Sequence, residues 1–469
     1  MRIEQIYTGC LAQGAYYIQS EDEAVIIDPL REVGSYVEKA VMNGATIKYI
    51  FETHFHADFV SGHVDLAKKT GAKIVYGPTA STDFESHIAQ DGEIFSVGKV
   101  KIKTLHTPGH TMESTTYLLI DEEGKEHAIF SGDTLFIGDV GRPDLAIKSN
   151  VTQEDLAGFL FDSLRNKIMP LPADVIVYPA HGAGSACGKN MSKETWDTLG
   201  HQKETNYALR SDMTKAEFVK EVTEGILPPP QYFAKNAMMN KRGYENIDEV
   251  LAKGKIPLDV ETFEAMANHE GALVLDARHQ DEYSNSHIPN SIFIGLKGDF
   301  APWVGALIVD LKQPIVLLVD EGKEEEAVTR LSRVGYDNTL GYLEGGIEAW
   351  IAAGKDIDKI NSIVATDLET KMTTERLNIL DVRKPGEFSA EHIDGAESFP
   401  LDYINSNMGQ LDSEKNYFVH CQGGYRSVIA TSILKSRGFH NLVDVKGGFA
   451  ALAKTKIKMT DYVCPTTIK

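Results

Sequence analysis

The chain has 469 residues, 42% of them hydrophobic and 25% charged. That is length for about three ordinary cores and the balance of a folded globular protein, which excludes a disordered or fibrous chain. A net charge of -21, with no Lys/Arg cluster, excludes nucleic acid and anionic membranes as partners, since both are bound through clustered cations. No basic start with an apolar leader and no run of about 18 apolar residues occurs, so a cytoplasmic location is expected. The cysteines, Cys10, Cys187, Cys421 and Cys464, lie far apart without a C-x-x-C pair, so any functional cysteine acts singly.

In chain order, residues 1 to about 185 alternate short β-rich runs (AYYIQS, EAVIIDP, TIKYIFETH, AKIVYG, KVKIKTLH, TTYLLI, HAIFSGD, DVIVYPAHG) with amphipathic stretches such as EDLAGFLFDSLRNKI. This pattern predicts a layered α/β domain. Three consecutive prolines in ILPPPQYF end regular structure, and Ala234 to Lys255 reads as a connector. The rest contains an internal repeat. Asp276, Arg278, Glu282, His287 and Ile288 recur as Asp381, Arg383, Glu387, His392 and Ile393 at a constant offset of 105. Two copies of one βα domain of about a hundred residues are expected, each with a parallel sheet.

Two constellations carry chemistry. In the first, ETHFHADFVSGH (Glu52 to His63) places His54 and His56 at the end of a β-run, where two histidines one residue apart can face one ion, with Asp58 just beyond. His110 in HTPGHT, Asp133 in FSGDTLF and His181 in PAHG follow at the ends of later β-runs, where loops collect function. The ordered set H-x-H-x-D, PGH, GD and PAHG resembles the metallo-β-lactamase superfamily, an αββα sandwich, over roughly the first 240 residues. In its binuclear hydrolases the residue after the aspartate is a histidine that holds the second metal; here it is Phe59, which cannot ligate, so one metal per chain is expected.

Within that superfamily the sequence is most similar to the persulfide dioxygenases. The resemblance implies an Fe(2+) on His54, His110 and Asp133, two imidazoles and a carboxylate on one face of the ion, as in non-haem oxygenases. Zinc remains possible in the isolated protein but supplies no electrons to O2. His56, Asp58 and His181 are then expected to orient ligands or hydrogen-bond the bound oxygen species. GDVGRPD matches a family segment whose arginine, here Arg142, is implied to hold a carboxylate of the thiol carrier. Lys189 and Tyr207 are further candidates to face substrate.

In the second constellation the apolar run NYFVH leads into C-Q-G-G-Y-R-S and a helical pattern. A cysteine at a strand-to-helix turn meets backbone N–H groups and the positive end of a helix, which stabilise its thiolate. Gly423 and Gly424 let the backbone curl into an anion cradle. This loop, with the D-x-R, E-[YF], H-I and G-G marks, resembles the rhodanese sulfurtransferases. The resemblance implies Cys421 as the sulfur-carrying nucleophile, Arg426 as its cationic partner, and Gln422, Gly423, Gly424 and Tyr425 as the substrate loop. Gln422 stands where the family often has a second arginine, which argues against a strong preference for doubly anionic thiosulfate. In the earlier copy VDEGKEEEAVTR aligns with this loop and puts Asp320 at the cysteine position, so that copy is expected to be inactive.

The expected organisation is a metallo-β-lactamase-like domain over 1–240, a linker over 241–257, an inactive rhodanese-like domain over 258–360 and an active one over 361–469. The resemblance implies O2-dependent oxidation of a persulfide of glutathione, coenzyme A, cysteine or bacillithiol to sulfite and free thiol. Sulfur transfer between persulfide and sulfite or thiosulfate would occur at Cys421, in a homo-oligomer. The alternative is a thioester hydrolase of the glyoxalase II type.

Overall fold

The computed structural model describes residues 1–146 and 151–464. They form two compact units, Met1–Ile247 with Ser332–Gly335, and Asp248–Leu331 with the rest of the chain. No described helix is long and apolar enough to cross a membrane.

The first unit is built on two six-stranded sheets. One takes Arg2–Thr8, Gln13–Ser20, Glu23–Ile27, Thr46–Phe51, Lys73–Tyr76 and His87–Ile88 in sequence order, antiparallel at first and parallel from Glu23–Ile27 onward. The other runs Asp197–Thr198, Ile176–Pro179, Glu126–Gly132, Thr115–Ile120, Val100–His106 and Ile94–Val97. Alternation along the strands decides what each face touches. Tyr16, Ile18, Val25 and Ile27 meet Ile102, Tyr117, Leu119 and Phe130 in the layer between the sheets. Ala15, Tyr17, Ala24 and Ile26 point the other way, onto Tyr36 and Ala40 of the helix Gly34–Met42 and Leu66 of His63–Thr70. Leu118, Ile129 and Val177 pack outward on Leu160 and Leu164. These are the four layers of the expected sandwich.

The region expected as a linker is mostly helical: Phe233–Arg242 and Ile247–Gly254 bracket it, and Pro257–Leu258 already belongs to the next sheet. The prolines do interrupt regular structure, but the following helix returns to the first domain. Asn240, on that helix, donates to the carbonyls of His56 and Phe59 at 2.8 Å each and accepts from Ser61 N–H.

The second unit contains the repeat. Both copies are five-stranded parallel sheets, in the orders Pro257–Leu258, Thr339–Leu343, Ile315–Leu318, Leu273–Asp276, Ile292–Phe293 and Ser362–Val364, Leu442–Lys446, Tyr417–His420, Asn378–Asp381, Glu397–Ser398. The residues that reveal the repeat build one staple twice. Arg278 and Arg383 grip Asp276 and Asp381 bidentately and donate to the carbonyls of Ser286 and Glu391. His287 and His392 stack on Tyr283 and Phe388, with ring centroids 4.0 and 3.7 Å apart.

Candidate metal centre and sulfur-transfer loop

The strand Thr46–Phe51 delivers the loop Glu52–Gly62 to one end of the sandwich, and the turns after Val100–His106, Glu126–Gly132 and Ile176–Pro179 converge there. One ligand atom from each of His54, His110 and Asp133 falls within 4.8 Å of the others, and all three residues are buried. The Nε2 atoms of His54 and His110 lie 3.7 and 3.4 Å from Asp133 Oδ2. Among the described residues neither Asp133 oxygen has a hydrogen-bond partner, nor does His110 Nε2. Buried polar atoms left bare in this way, two imidazoles around a carboxylate, fit a cation.

The tautomers follow from what the other ring nitrogens meet. His110 Nδ1 is 2.8 Å from the carbonyl of Arg142, which can only accept, so Nδ1 carries the proton and Nε2 is a free lone pair. The Thr53 hydroxyl donates to Asp28 Oδ2 at 2.9 Å and therefore accepts from His54 Nδ1 at 3.0 Å, which leaves His54 Nε2 bare as well. Burial, and then the neighbouring histidines His56, His110 and His181, push the His54 pKa well below its ordinary value, keeping the neutral form that ligation requires. Asp28 also accepts Thr53 N–H at 2.8 Å and lies 3.0 Å from His56 Nε2. Sequence reasoning missed it, although it ends the run EAVIIDP.

His56, Asp58 and His181 form a second buried group. His181 Nε2 is 3.4 Å from Asp58 Oδ2 and 3.6 Å from Asp133 Oδ1. Burial opposes a charge on His181, but Asp58 and Asp133 outweigh it and hold its pKa at about 9. Phe59 is fully buried, its ring centroid 4.3 Å from that of His56 and 6.2 Å from that of His181, so an apolar ring fills the neighbourhood of this group. Cys187 brings its thiol within the same 4.8 Å range of Asp133 and His181. The signal available in sequence was its place six residues after His181, in HGAGSACG.

The GDVGRPD segment ties Arg142 to the chain's own groups. Arg142 is buried and makes four hydrogen bonds: to both oxygens of Asp144 at 2.6 and 2.7 Å, to Ala186 O at 3.2 Å and to Leu227 O at 2.6 Å. The carboxylate it holds is the chain's own, and its carbonyl orients His110. A Cβ on Gly141 would lie 2.0 Å from Asp133 O and 2.9 Å from His110 Nδ1, so only glycine permits this approach. Lys189 Nζ is spent on the carbonyls of Glu221 and Glu224, and Tyr207 donates to Asp139.

In the last repeat Cys421 is buried at the turn between the strand Tyr417–His420 and the helix Tyr425–Ser436. Gly424, at φ 110, donates its N–H to Cys421 Sγ at 3.1 Å, and the Ser427 hydroxyl lies 3.6 Å from that sulfur. The carbonyls of Cys421 and Gln422 accept N–H bonds from Phe449 and Ala450 at 2.7 and 3.1 Å. Gln422 and Gly423 are exposed at the mouth of the loop. Two of the residues expected in this loop bond to the protein itself. Arg426 is held bidentately by Glu387 at 2.6 and 2.8 Å, so its charge reaches Cys421 as a field rather than as a free anion-binding fork. Tyr425 turns away from the loop's mouth and donates to Gly295 O of the first repeat at 2.7 Å.

In the first repeat the strand register pairs Asp276 with Leu318 as it pairs Asp381 with His420. Val319, not Asp320, therefore occupies the place of Cys421. The conclusion that this copy lacks a nucleophile stands on a valine instead of a carboxylate. The helix that follows begins with Glu324, Glu325 and Glu326, which suit its own positive end and oppose an incoming anion.

Comparison with known proteins agrees with this architecture. The metallo-beta-lactamase superfamily matches residues 8–181, and the rhodanese-like domain matches 259–353 and 364–455. Human persulfide dioxygenase ETHE1, mitochondrial, is 30% identical over 211 residues, 45% of this chain and 74% of that protein. A probable hydroxyacylglutathione hydrolase of Schizosaccharomyces pombe is 31% identical over 181 residues, 38% of this chain and 66% of that protein. The crystal structure of a metallo-beta-lactamase from Staphylococcus aureus is 33% identical, with a TM-score of 0.64 over 73% of this chain and 98% of that one. The chain thus belongs to the metallo-beta-lactamase superfamily, in the form where a domain homologous to persulfide dioxygenases is fused to two rhodanese-like domains.

Proposed function

We propose that the first domain oxidises a low-molecular-weight persulfide with O2 to sulfite and free thiol, and that the last repeat carries sulfane sulfur on Cys421. The observation that carries the first half is the triad of His54, His110 and Asp133, with both Nε2 lone pairs turned toward a buried, unpartnered carboxylate. The donor set fits Fe(2+), which when bound would supply the redox chemistry that joins O2 to sulfur. Asp28 and Thr53 fix the His54 tautomer, and the Arg142 carbonyl fixes that of His110. Phe59 supports a single metal by lining the neighbouring group with an apolar ring. His181, held charged between Asp58 and Asp133, offers a proton at Nε2. In the second half the Cys421 thiolate attacks the outer sulfur of a persulfide, the S–S bond breaks and the thiol leaves. Sulfite then removes the outer sulfur as thiosulfate and restores the thiolate, or the reverse runs. The natural carrier thiol is a glutathione, coenzyme A, cysteine or bacillithiol persulfide, and the working form is a cytoplasmic homo-oligomer.

One observation favours thioester hydrolysis instead: His56, Asp58 and His181 persist as a buried group, and hydroxyacylglutathione hydrolases are among the relatives. Oxygen uptake by the iron-reconstituted full chain separates the two readings. Stoichiometric O2 consumption with glutathione persulfide, without cleavage of a glutathione thioester, is expected; thioester cleavage without O2 uptake would overturn the dioxygenase reading.

A further inference from the structure

The sulfur-transfer loop is short of side chains that could hold it. An added Cβ at Gly423 would meet nothing within 4 Å, and one at Gly424 only Gly447 N at 3.9 Å. Glycines with free space around them are conformationally loose, yet the N–H of Gly424 must stay aimed at Cys421 Sγ. Upstream of the glycines the loop is pinned within its own repeat by Phe449 and Ala450. Downstream, Ser427 Oγ donates to Gly424 O at 3.3 Å within the repeat, and the first anchor outside it is Tyr425, seated in the other repeat.

That anchor is a built seat. Tyr425 donates to Gly295 O at 2.7 Å, and its ring centroid lies 5.8 Å from that of Phe293, edge-on. A Cβ on Gly298 would lie 2.3 to 2.6 Å from three atoms of the Tyr425 ring and hydroxyl, so the tyrosine fills the space a side chain there would need. The seat is itself held from below: Arg330 is buried and donates to Leu296 O at 2.5 Å and to Gly298 O at 3.1 Å. Arg330 sits on the helix Glu324–Ser332, the first repeat's counterpart of the helix that follows Cys421. A second tie, Phe293 N–H to Ser432 Oγ at 3.0 Å, fixes the helix Tyr425–Ser436 further along.

We propose that the first repeat, having no nucleophile, is a positioning element for the second: the Gly295–Gly298 turn, clamped by Arg330, seats Tyr425 and thereby fixes the Gly424 N–H against Cys421. This rests on the sulfur-transfer reading only for its catalytic consequence; the seat can be read without it. Gly298 lacks a left-handed φ, so Gly298→Ala asks no strained conformation of the alanine, and the nearest atoms its methyl meets belong to Tyr425. In the full-length protein, hydrogen exchange of the peptide spanning Cys421 to Ser427 should accelerate about tenfold in Gly298→Ala and in Tyr425→Phe, which loses only the hydroxyl. Sulfur transfer from glutathione persulfide to sulfite should lose about tenfold in kcat with KM unchanged, while O2 uptake at the first domain is unaffected. In a Tyr425→Ala background, Gly298→Ala should add nothing. Unchanged exchange in both single variants, a further loss in the double variant, or faster exchange with unaltered turnover would each overturn the proposal. Faster exchange in a protein whose wild type transfers no sulfur would uphold the seat and remove the sulfurtransferase reading.

Discussion

Asp28 lies outside the ligand set but decides whether His54 can be a ligand at all. Its Oδ1 accepts the Thr53 N–H and its Oδ2 accepts the Thr53 hydroxyl. In Asp28→Asn the amide oxygen keeps the backbone bond and the amide nitrogen takes the other position, where it donates. The Thr53 hydroxyl then turns its proton to the remaining acceptor within reach, His54 Nδ1 at 3.0 Å. That moves the ring proton to Nε2 and removes the lone pair facing Asp133. Asp28 has φ 51, a conformation asparagine adopts readily, so the backbone tolerates the change. Loss of such an orienting partner lowers metal affinity about 10- to 100-fold, roughly 1.4 to 2.7 kcal/mol. Iron retained against a graded chelator, measured beside the thermal unfolding midpoint, tests this. An affinity within about twofold of wild type in a folded Asp28→Asn protein would refute the tautomer argument.

Two other outcomes follow from single side chains. Phe59→His puts an imidazole beside His181 and Asp58, so bound metal at saturation should rise from about one toward two per chain by elemental analysis; a ratio unchanged at one would show that Phe59 is not what closes the second position. Asp444 is buried, and burial, only partly offset by the Ser427 hydroxyl and Lys446, pushes its pKa up to about 6. Because the folded pKa lies above the unfolded one, the folded state binds the extra proton and stability falls as pH rises from about 4 through 6. Asp444→Asn should therefore stabilise the protein at pH 7 by up to about 3 kcal/mol and by nothing below pH 4. Urea unfolding at the two pH values checks it, and equal stability of mutant and wild type at pH 7 counts against the assignment.

Much of this was legible in the sequence because it is periodic or ordered. The β-runs fall on the strands, since each strand with two buried faces must be apolar along its length. The metal-type residues sit at strand ends, where the order of runs already placed them. What sequence could not carry is the partner of a polar group. Arg142 looked free because nothing in the string shows that Asp144, two residues on across a proline, turns back to meet it. Asp28 precedes His54 by half a β-α-β unit and joins it only through the parallel pairing of Glu23–Ile27 with Thr46–Phe51. The nearness of Cys187 to Asp133 depends on how the chain turns after His181. The apparent linker was misread for a related reason: prolines end a helix, but they do not say where the next one docks, and Asn240 returns to His56.

The repeat shows how a missing cysteine and a kept fold coexist in one chain. The polar residues that make the two copies recognisable, the Asp–Arg pair, the helix-capping glutamate and the histidine on its aromatic ring, serve the staple at the ends of the strands Leu273–Asp276 and Asn378–Asp381, while Ile288 and Ile393 pack in the cores. None of them requires the nucleophile. The two copies part in the few residues after the fourth strand in chain order, where Val319 stands in the place of Cys421. Glu387 joins the two sets, since it caps its helix through Lys384 N–H and also holds Arg426. Its counterpart Glu282 accepts His279 N–H and keeps the capping half of the role. A loop so separable from its scaffold can decay in one copy while the scaffold remains a rigid surface, which is the property a seat for Tyr425 needs.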